Sequence, residues 1–201
     1  MLIIRHGESE WNREGRWQGW EDISLTTVGE AQARARGAEL RAAGHGFRAV
    51  HSSDLSRARR TAELIATALE LERPTVQSDL RERFGGEWQG HNREEIDAGW
   101  PGQRAAWRRG ELTAPPGGES DADVLTRCHR ALGAIDAATE PGAVLVVTHG
   151  GVLRLLATQA GVPPDELIPN LGGRWFDLHE GALHARDPLS ELTTATAPVT
   201  E

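Results

Sequence analysis

The sequence predicts an α/β fold, a three-layer α/β/α sandwich with a mostly parallel central sheet. Short apolar segments alternate with amphipathic helical segments from end to end, which is typical of parallel sheets covered by helices. The segment Ala143–Thr148 is apolar at nearly every position, as expected of a central parallel strand that is buried on both faces. Both observations favour a sheet whose strand ends meet at one edge.

The opening segment is predicted to be the first strand. Residues 2–4 are apolar, and a strand formed by them delivers Arg5 and His6 to a sharp turn at Gly7. In open α/β sheets, ligands bind beyond the carboxyl ends of the strands. A histidine beside an arginine at such a position indicates anion chemistry, with the imidazole as nucleophile or base.

Caps and helical spacing predict the next elements. A polar loop at 10–22 precedes a helix that opens on a capping box formed by Thr27 and Glu30. The apolar residues of this helix that recur at helical spacing, and that it is expected to bury, are Val28, Ala31, Ala35 and Ala38. The elements that follow are a strand at 47–51, a helix from about 55 to 69 with Arg57 in its first turn, and a short strand at 75–78.

The second half contains an irregular segment, 84–118, that is rich in glycine, proline and tryptophan. We expect it to form a lid or substrate-binding excursion with short helices around 93–97 and 103–109. The remaining predicted elements are a helix capped by Ser120, the strand Ala143–Thr148, a helix at 152–160 and a hairpin at 174–186. The prediction is a single domain over 1–187 and a flexible tail at 188–201.

Composition restricts the classes of function. The chain has 201 residues and a net charge of −8, which argues against a general role on nucleic acid or membrane surfaces. No apolar run approaches the ~20 residues that a membrane span needs. The single cysteine, Cys128, cannot form an internal disulfide, which is consistent with a reducing compartment. We therefore expect a cytoplasmic protein with no nucleic-acid or membrane partner.

Three clusters at strand ends should converge at one edge of the sheet. They are Arg5 with His6, Arg57, and His149 with Gly150. This set suits a tetrahedral dianion, because the guanidinium fork matches phosphate and helix N-termini add further donors. Two arginines at the centre of the site would repel a cation, so we expect neither a metal nor another cofactor.

Four motifs follow one another along the chain. They are Arg5-His6-Gly7-Glu8-Ser9 with Asn12 and Gln18-Gly19, Ser52–Ala58, Leu80-Arg81-Glu82, and Thr148–Gly151. In this order they resemble the histidine phosphatase superfamily, the phosphoglycerate-mutase-like proteins. The resemblance implies that His6 is the nucleophile of a phosphohistidine intermediate and that Glu82 is the acid for the leaving group and then the base. It also implies a phosphoryl-binding set of Arg5, Asn12, Gln18, Arg57, His149 and Gly150.

Departures from the mutase pattern favour hydrolysis. The mutases carry a tyrosine shortly after the acid, a lysine where this chain has Arg93 and an asparagine at Gly151, whereas this chain has no tyrosine at all. We expect a broad-specificity phosphomonoester hydrolase that acts on small phosphorylated metabolites. Trp107-Arg108-Arg109 does match an arginine pair of the mutases, and this predicts that Arg93, Arg108 and Arg109 bind an anionic substrate.

Other functions stay open at this point. The segment 88–120 is similar to actinobacterial glucosyl-3-phosphoglycerate phosphatases, and the arginine pair keeps a cofactor-dependent phosphoglycerate mutase in consideration. A non-catalytic phospho-ligand binder would be marked by loss of His6 or Glu82, and both are present. Glu87 is a rival to Glu82 as the acid. The expected partner is the small-molecule substrate, and a homodimer is left open.

Overall fold

A six-stranded sheet joins the two halves of the chain. The computed structural model describes residues 1–163, 168–179 and 181–188. The strands within them are β1 (Leu2–Arg5), β2 (Phe47–Ser52), β3 (Thr75–Val76), β4 (Ala143–Thr148), β5 (Gly173–His179) and β6 (Ala182–Pro188). Their order is β3-β2-β4-β1-β5-β6, with the first four parallel and the last two added antiparallel. The predicted α/β class with a mostly parallel sheet is confirmed.

Helices connect the parallel strands. They are α1 (Glu10–Arg13), α2 (Thr27–Ala42), α3 (Ser56–Leu69), α4 (Arg93–Gly99), α5 (Gln103–Arg108), α6 (Asp121–Ala138) and α7 (Gly150–Gln159). Single 3-10 turns lie at Ser78–Leu80 and Gly86–Trp88. Among the described residues, none of the helices has the length and apolar character required to cross a membrane.

Two apolar cores sandwich the sheet. Leu2 and Ile4 of β1 pack with residues of α2 and α3 on one face, while Ile3 packs with residues of α6 and α7 on the other. This alternation follows from the two-residue period of a strand. Each of these fully buried side chains contributes about 1.5–3 kcal/mol of transfer free energy. Burial on both faces therefore fixes the strand end that carries Arg5 and His6.

The prediction for α2 was wrong in its cap and in its buried face. Thr26, not Thr27, is the N-cap, and its side chain accepts a hydrogen bond from Gly29 N. Val28 is 44% exposed, and the residues that α2 buries are Gly29, Ala33, Arg36, Gly37 and Leu40. The alanines at helical spacing wrongly indicated the buried face, because this helix packs closely through its glycines. A Cβ on Gly37 would lie 2.7 Å from Ala68 Cβ of α3.

Most other predicted elements are confirmed. Ser120 caps α6, with its hydroxyl accepting from Asp123 N, and β5 and β6 form the expected antiparallel hairpin. The excursion 84–118 contains the two short helices α4 and α5. The helix after β4 begins at Gly150, two residues earlier than predicted. The predicted tail lies outside the described residues, apart from Pro188, which ends β6.

Candidate active site

The carboxyl ends of β1 and β4 bring two histidines together. In the parallel register Arg5 pairs with Thr148, so that His6 and His149 follow at equivalent positions. Their ring centroids are 5.2 Å apart with an interplanar angle of 65°. His6 N donates to Thr148 O at 3.0 Å, which fixes the two strand ends to each other.

The hydrogen bonds of His6 fix its tautomer. The side chain is buried, and Nδ1 lies 2.7 Å from Gly7 O. A carbonyl oxygen can only accept, so Nδ1 carries the proton and Nε2 keeps its lone pair. Burial, followed by the charges of Arg57 and Arg5, holds the pKa of His6 well below its usual 6.5. The imidazole is therefore neutral and nucleophilic at Nε2.

The turn after His6 requires a glycine. A Cβ on Gly7 would lie 2.6 Å from Gly29 O, a distance that a side chain cannot occupy. Gly7 N donates to Thr61 Oγ1 of α3 at 3.0 Å. Close packing against α2 and a hydrogen bond to α3 thus hold the backbone that accepts the Nδ1 proton of His6.

His149 carries polar atoms that no described residue satisfies. The residue is fully buried, and neither Nδ1 nor Nε2 has a hydrogen-bond partner within the described part of the chain. Burial, with Arg57 and His6 as further causes, keeps the pKa of His149 well below 6.5. A buried imidazole without partners is costly unless a ligand completes its hydrogen bonds.

Arg57 is fully buried in the first turn of α3. Its Nη1 donates to Glu21 O at 2.7 Å and its Nη2 to Gly19 O at 2.8 Å, while Nε has no partner among the described residues. Burial lowers the pKa of Arg57 to about 10, so the guanidinium remains charged at neutral pH. The loop 17–22 therefore orients a buried guanidinium whose Nε–H is available to a ligand.

Arg5 supplies the second central cation. Its Nη1 donates to Ile168 O at 2.9 Å, and burial lowers its pKa. A Cβ on Gly150 would lie 3.3 Å from Arg5 Nε, so the N-terminus of α7 is directly against the guanidinium. We call Arg5, His6, Arg57 and His149 the inner pocket.

Asn12 and Gln18 lie at the same edge and are oriented by Ser9. Asn12 is the third residue of α1 and closes a capping box with Ser9. Ser9 Oγ lies 2.8 Å from Gln18 Oε1 and 3.1 Å from Asn12 Oδ1. Since both amide oxygens face Ser9, their NH₂ groups are the donors left for a ligand.

The Glu82 carboxylate lines the same cleft as the inner pocket and lies at the first turn of α7. Oε2 accepts from Gly151 N at 3.0 Å and Oε1 from Arg83 N at 2.8 Å. The rival acid, Glu87, accepts from Trp100 Nε1 at 2.9 Å and does not line the cleft. Geometry therefore favours Glu82 over Glu87 as the group that meets a ligand.

The inner pocket opens into a cleft of about 260 Å³. All of the predicted residues Arg5, His6, Asn12, Gln18, Arg57, Glu82 and Gly150 line it. His149 lies behind this lining, in edge contact with His6. Eight further residues line the cleft without having been predicted to bind a ligand: Arg16, Trp17, Gly19, Arg83, Trp107, Gly151, Arg154 and Ile168. Arg154 could have been found, because it is one helical turn after Gly150 and Gly151.

The three arginines predicted to bind substrate are not at the cleft. Arg93, Arg108 and Arg109 are exposed, and none of them belongs to the lining formed by the described residues. Arg109 is paired with Glu111, whose oxygens accept from Nε at 2.6 Å and Nη2 at 2.8 Å. Of the predicted segment 107–109, only Trp107 of α5 belongs to the described cleft lining.

Within the described residues, neither the single thiol nor a cluster of acidic and histidine side chains forms a second reactive centre. Cys128 is buried on α6, and burial raises the pKa of its thiol to about 12, which fits the predicted role of a core residue. No group of three or more His, Cys, Asp or Glu side chains that could hold a metal occurs within residues 1–163, 168–179 and 181–188.

Fold and site define an α/β protein with two neutral histidines and two buried arginines at the carboxyl ends of parallel strands. Residues 1–181 match the histidine phosphatase superfamily (branch 1), and the chain belongs to this family. The resemblance drawn from the four motifs is thereby confirmed.

Relatives within the family differ in their reaction. The chain is 38% identical over 175 residues to a 2,3-bisphosphoglycerate-dependent phosphoglycerate mutase of Methylobacterium radiotolerans, covering 81% of this chain and 82% of the relative. Mycobacterial glucosyl-3-phosphoglycerate phosphatase, solved with VO3, superposes with a TM-score of 0.81 at 32% identity, covering 92% and 95% of the two chains. YhfR of Bacillus stearothermophilus gives 0.80 at 32% identity, with 92% and 93% covered. Both phosphatases and mutases are therefore similar to this chain.

Proposed function

We propose that the protein is a phosphomonoester hydrolase that transfers a phosphoryl group first to His6 and then to water. The observation that carries this proposal is the state of His6, whose Nδ1 proton is committed to Gly7 O and whose neutral Nε2 is free. The lone pair on Nε2 would attack phosphorus while the ester P–O bond breaks. Two successive displacements then replace one difficult attack by water.

The inner pocket supplies the charge stabilisation. Phosphoryl transfer depends mainly on positioning and on stabilising the equatorial oxygens. The unpartnered Nε of Arg57 and one N–H of neutral His149 are donors of the required kind. Arg5 adds a second charge beside the amide groups at the start of α7.

Glu82 would move the protons. Its carboxyl group would protonate the departing alkoxide, then take a proton from the water that attacks phosphohistidine, while the P–N bond breaks and phosphate leaves. The hydrogen bond from Gly151 N, which holds this carboxyl group at the first turn of α7, supports a role beside the phosphoryl group. Position supports the assignment, since a catalytic acid must lie within reach of the leaving oxygen.

A mutase is the second candidate, and the 38% identity to proteins named as mutases favours it. The absence of tyrosine and the glycine at position 151 favour hydrolysis. Among phosphatase substrates, we prefer broad specificity, with glucosyl-3-phosphoglycerate as the specific alternative supported by the structural likeness. The rim residue Arg154, for which no described residue provides an ion pair, supports an ester with a further anionic group.

A panel assay on the pure protein tests the proposal. With a chelator present, we expect release of phosphate from p-nitrophenyl phosphate and from alkyl phosphates, glucosyl-3-phosphoglycerate and 3-phosphoglycerate among them. Exchange of 2- and 3-phosphoglycerate that depends on 2,3-bisphosphoglycerate and exceeds hydrolysis would establish the mutase instead. Binding of these esters without turnover would establish a non-catalytic binder.

A further inference from the structure

A buried arginine outside the cleft holds the backbone that carries Glu82. Arg127 of α6 is 8% exposed and does not belong to the cleft lining. Its Nη1 donates to Asp79 O at 2.9 Å and to Arg81 O at 2.6 Å, and its Nη2 donates to Glu82 O at 3.0 Å. One guanidinium therefore binds three carbonyl groups within four consecutive residues.

Glu119 completes this arrangement on the other side of Glu82. Its Oε1 accepts from Arg127 Nε and its Oε2 from Arg127 Nη2, each at 2.9 Å. The same Oε2 accepts from Phe84 N at 2.8 Å. The pair thus holds the chain before and after Glu82, from Asp79 to Phe84.

All five N–H donors of Arg127 are used. Three go to the carbonyls of Asp79, Arg81 and Glu82 and two go to Glu119. Taking a charged pair out of water is costly, and a buried ion pair is weak support for stability as such. A planar guanidinium group that donates most of its hydrogen bonds to the backbone of one segment instead fixes the position of that segment.

We infer that Arg127 and Glu119 form a positioning pair for the catalytic carboxyl group of Glu82. The inference rests on the proposed function. Glu82 Oε1 and Oε2 are themselves bound to Arg83 N and Gly151 N, so a shift of the 79–84 backbone displaces the carboxyl group from the start of α7. Misplacing a catalytic group by about 1 Å costs about 100-fold in rate.

The same helix offers a matched control. Arg130 lies almost one turn after Arg127 and binds the Asp79 carboxylate with two hydrogen bonds of 2.8 Å, but its side chain is 67% exposed. It touches the beginning of the segment and none of the three carbonyls. Because exposed ion pairs contribute little, Arg130→Met should leave activity close to wild type.

Leaving-group dependence separates positioning of the acid from general loss of structure. An alkoxide needs a proton as it departs, whereas p-nitrophenolate leaves without one. We expect Arg127→Met to lower kcat/KM by about 10- to 100-fold for the alkyl phosphate that the wild type hydrolyses best. For p-nitrophenyl phosphate we expect a loss of less than about threefold, because kcat/KM reports the first displacement and not the attack of water.

A double variant provides the second readout. If Arg127 acts through Glu82, Glu82→Gln combined with Arg127→Met should be little slower on the alkyl phosphate than Glu82→Gln alone. Equal losses on both esters, or losses that multiply in the double variant, would overturn the inference. Should Arg127→Met fail to fold, Glu119→Gln carries the same test, since it removes one acceptor and keeps the arginine. A wild type that hydrolyses neither ester rejects the proposed function itself.

Discussion

The inner pocket and the excursion 84–118 differ in whether their polar and charged side chains have partners. In the inner pocket Arg57 Nε and both ring nitrogens of His149 are buried without a partner among the described residues. In the excursion Arg104 binds Asp97, and Arg109 binds Glu111. Buried polar groups without partners destabilise the folded protein. A ligand that forms hydrogen bonds with them removes this cost, and the difference adds to its binding free energy. The inner pocket is therefore preorganised for an anion, whereas Arg104 and Arg109 of the excursion already have carboxylate partners.

Removing the proposed nucleophile, His6, should have the largest effect. We expect His6→Ala to lower turnover by a factor on the order of 10⁴ or more, because His6 is the one histidine in the described lining of the cleft. Labelling with a ³²P-ester, quenched in alkaline detergent because acid hydrolyses phosphohistidine, measures the intermediate. His129→Ala is the control, since this histidine is bound to Gln159 outside the cleft. Persistent labelling in His6→Ala would move the nucleophile elsewhere.

Exchanging the proposed acid, Glu82, tests the border between the inner pocket and the excursion. Glu82→Gln should lower kcat/KM for alkyl phosphates by about 10²- to 10³-fold, because a carboxamide cannot protonate the alkoxide. Glu87→Gln, at an exposed glutamate of the excursion, is the matched control and should change kcat/KM little. The opposite pattern would make Glu87 the acid.

Truncating the buried cation tests the preorganised pocket. Arg57→Ala removes charge-assisted hydrogen bonds that are each worth about 1.5–3 kcal/mol, so kcat/KM should fall by at least about 10- to 100-fold. Arg59→Ala, two residues further along α3 and exposed beside Glu63, should be close to wild type. If both variants lose activity equally, the loss reflects α3 and not the pocket.

The inner pocket was predictable from sequence, and the excursion was less so. Arg5 ends a strongly apolar strand, and His6 and His149 directly follow such strands. Their position therefore needs only the local pattern and the rule that parallel strand ends meet at one edge. The buried face of α2 was not predicted, because the close approach of Gly29 to the Glu8 backbone cannot be recognised from a hydrophobic pattern. The place of Arg83 in the cleft lining was not predicted either, since its contact with the Trp107 ring depends on how the excursion folds back.

The residues proposed to position Glu82 could not be predicted from the sequence either. A resemblance in the motif Leu80-Arg81-Glu82 pointed to Glu82 itself. Nothing in that motif indicated Arg127, which is 45 residues away along the chain from Glu82 and reaches its carbonyl only in the folded protein. Long-range hydrogen bonds of this kind are specified by packing of α6 on the sheet and not by local spacing.

Acid should destabilise the protein through the histidines of the inner pocket. Burial and nearby arginines hold the pKa of His6 and of His149 well below 6.5, whereas both titrate near 6.5 in the unfolded chain. The unfolded state therefore binds more protons below this pH. The free energy of unfolding, which has its full value above about pH 6.5, should fall by up to about 1.4 kcal/mol per pH unit per histidine as the pH drops toward the folded pKa values.

Denaturant titrations between pH 7 and pH 5 measure this slope. His149→Gln should remove the contribution of one histidine and flatten the dependence on pH. His184→Gln, at an exposed histidine of β6, serves as the control and should retain the slope of the wild type. Equal slopes in the wild type and His149→Gln would show that His149 is not held neutral by its surroundings.

The smallest expected effect concerns Arg154, the rim cation to which no described carboxylate is paired, in contrast to Arg16 with Glu95 and Arg83 with Asp121. An exposed guanidinium free to meet a ligand should contribute about 0.2–1 kcal/mol, or up to about fivefold in kcat/KM, to an ester with an additional carboxylate. Arg154→Met should therefore raise KM for 3-phosphoglycerate or glucosyl-3-phosphoglycerate and leave p-nitrophenyl phosphate unchanged. The difference should shrink as salt is added, because exposed charges are screened. An equal change for all esters would assign Arg154 to the phosphoryl group and so to the inner pocket.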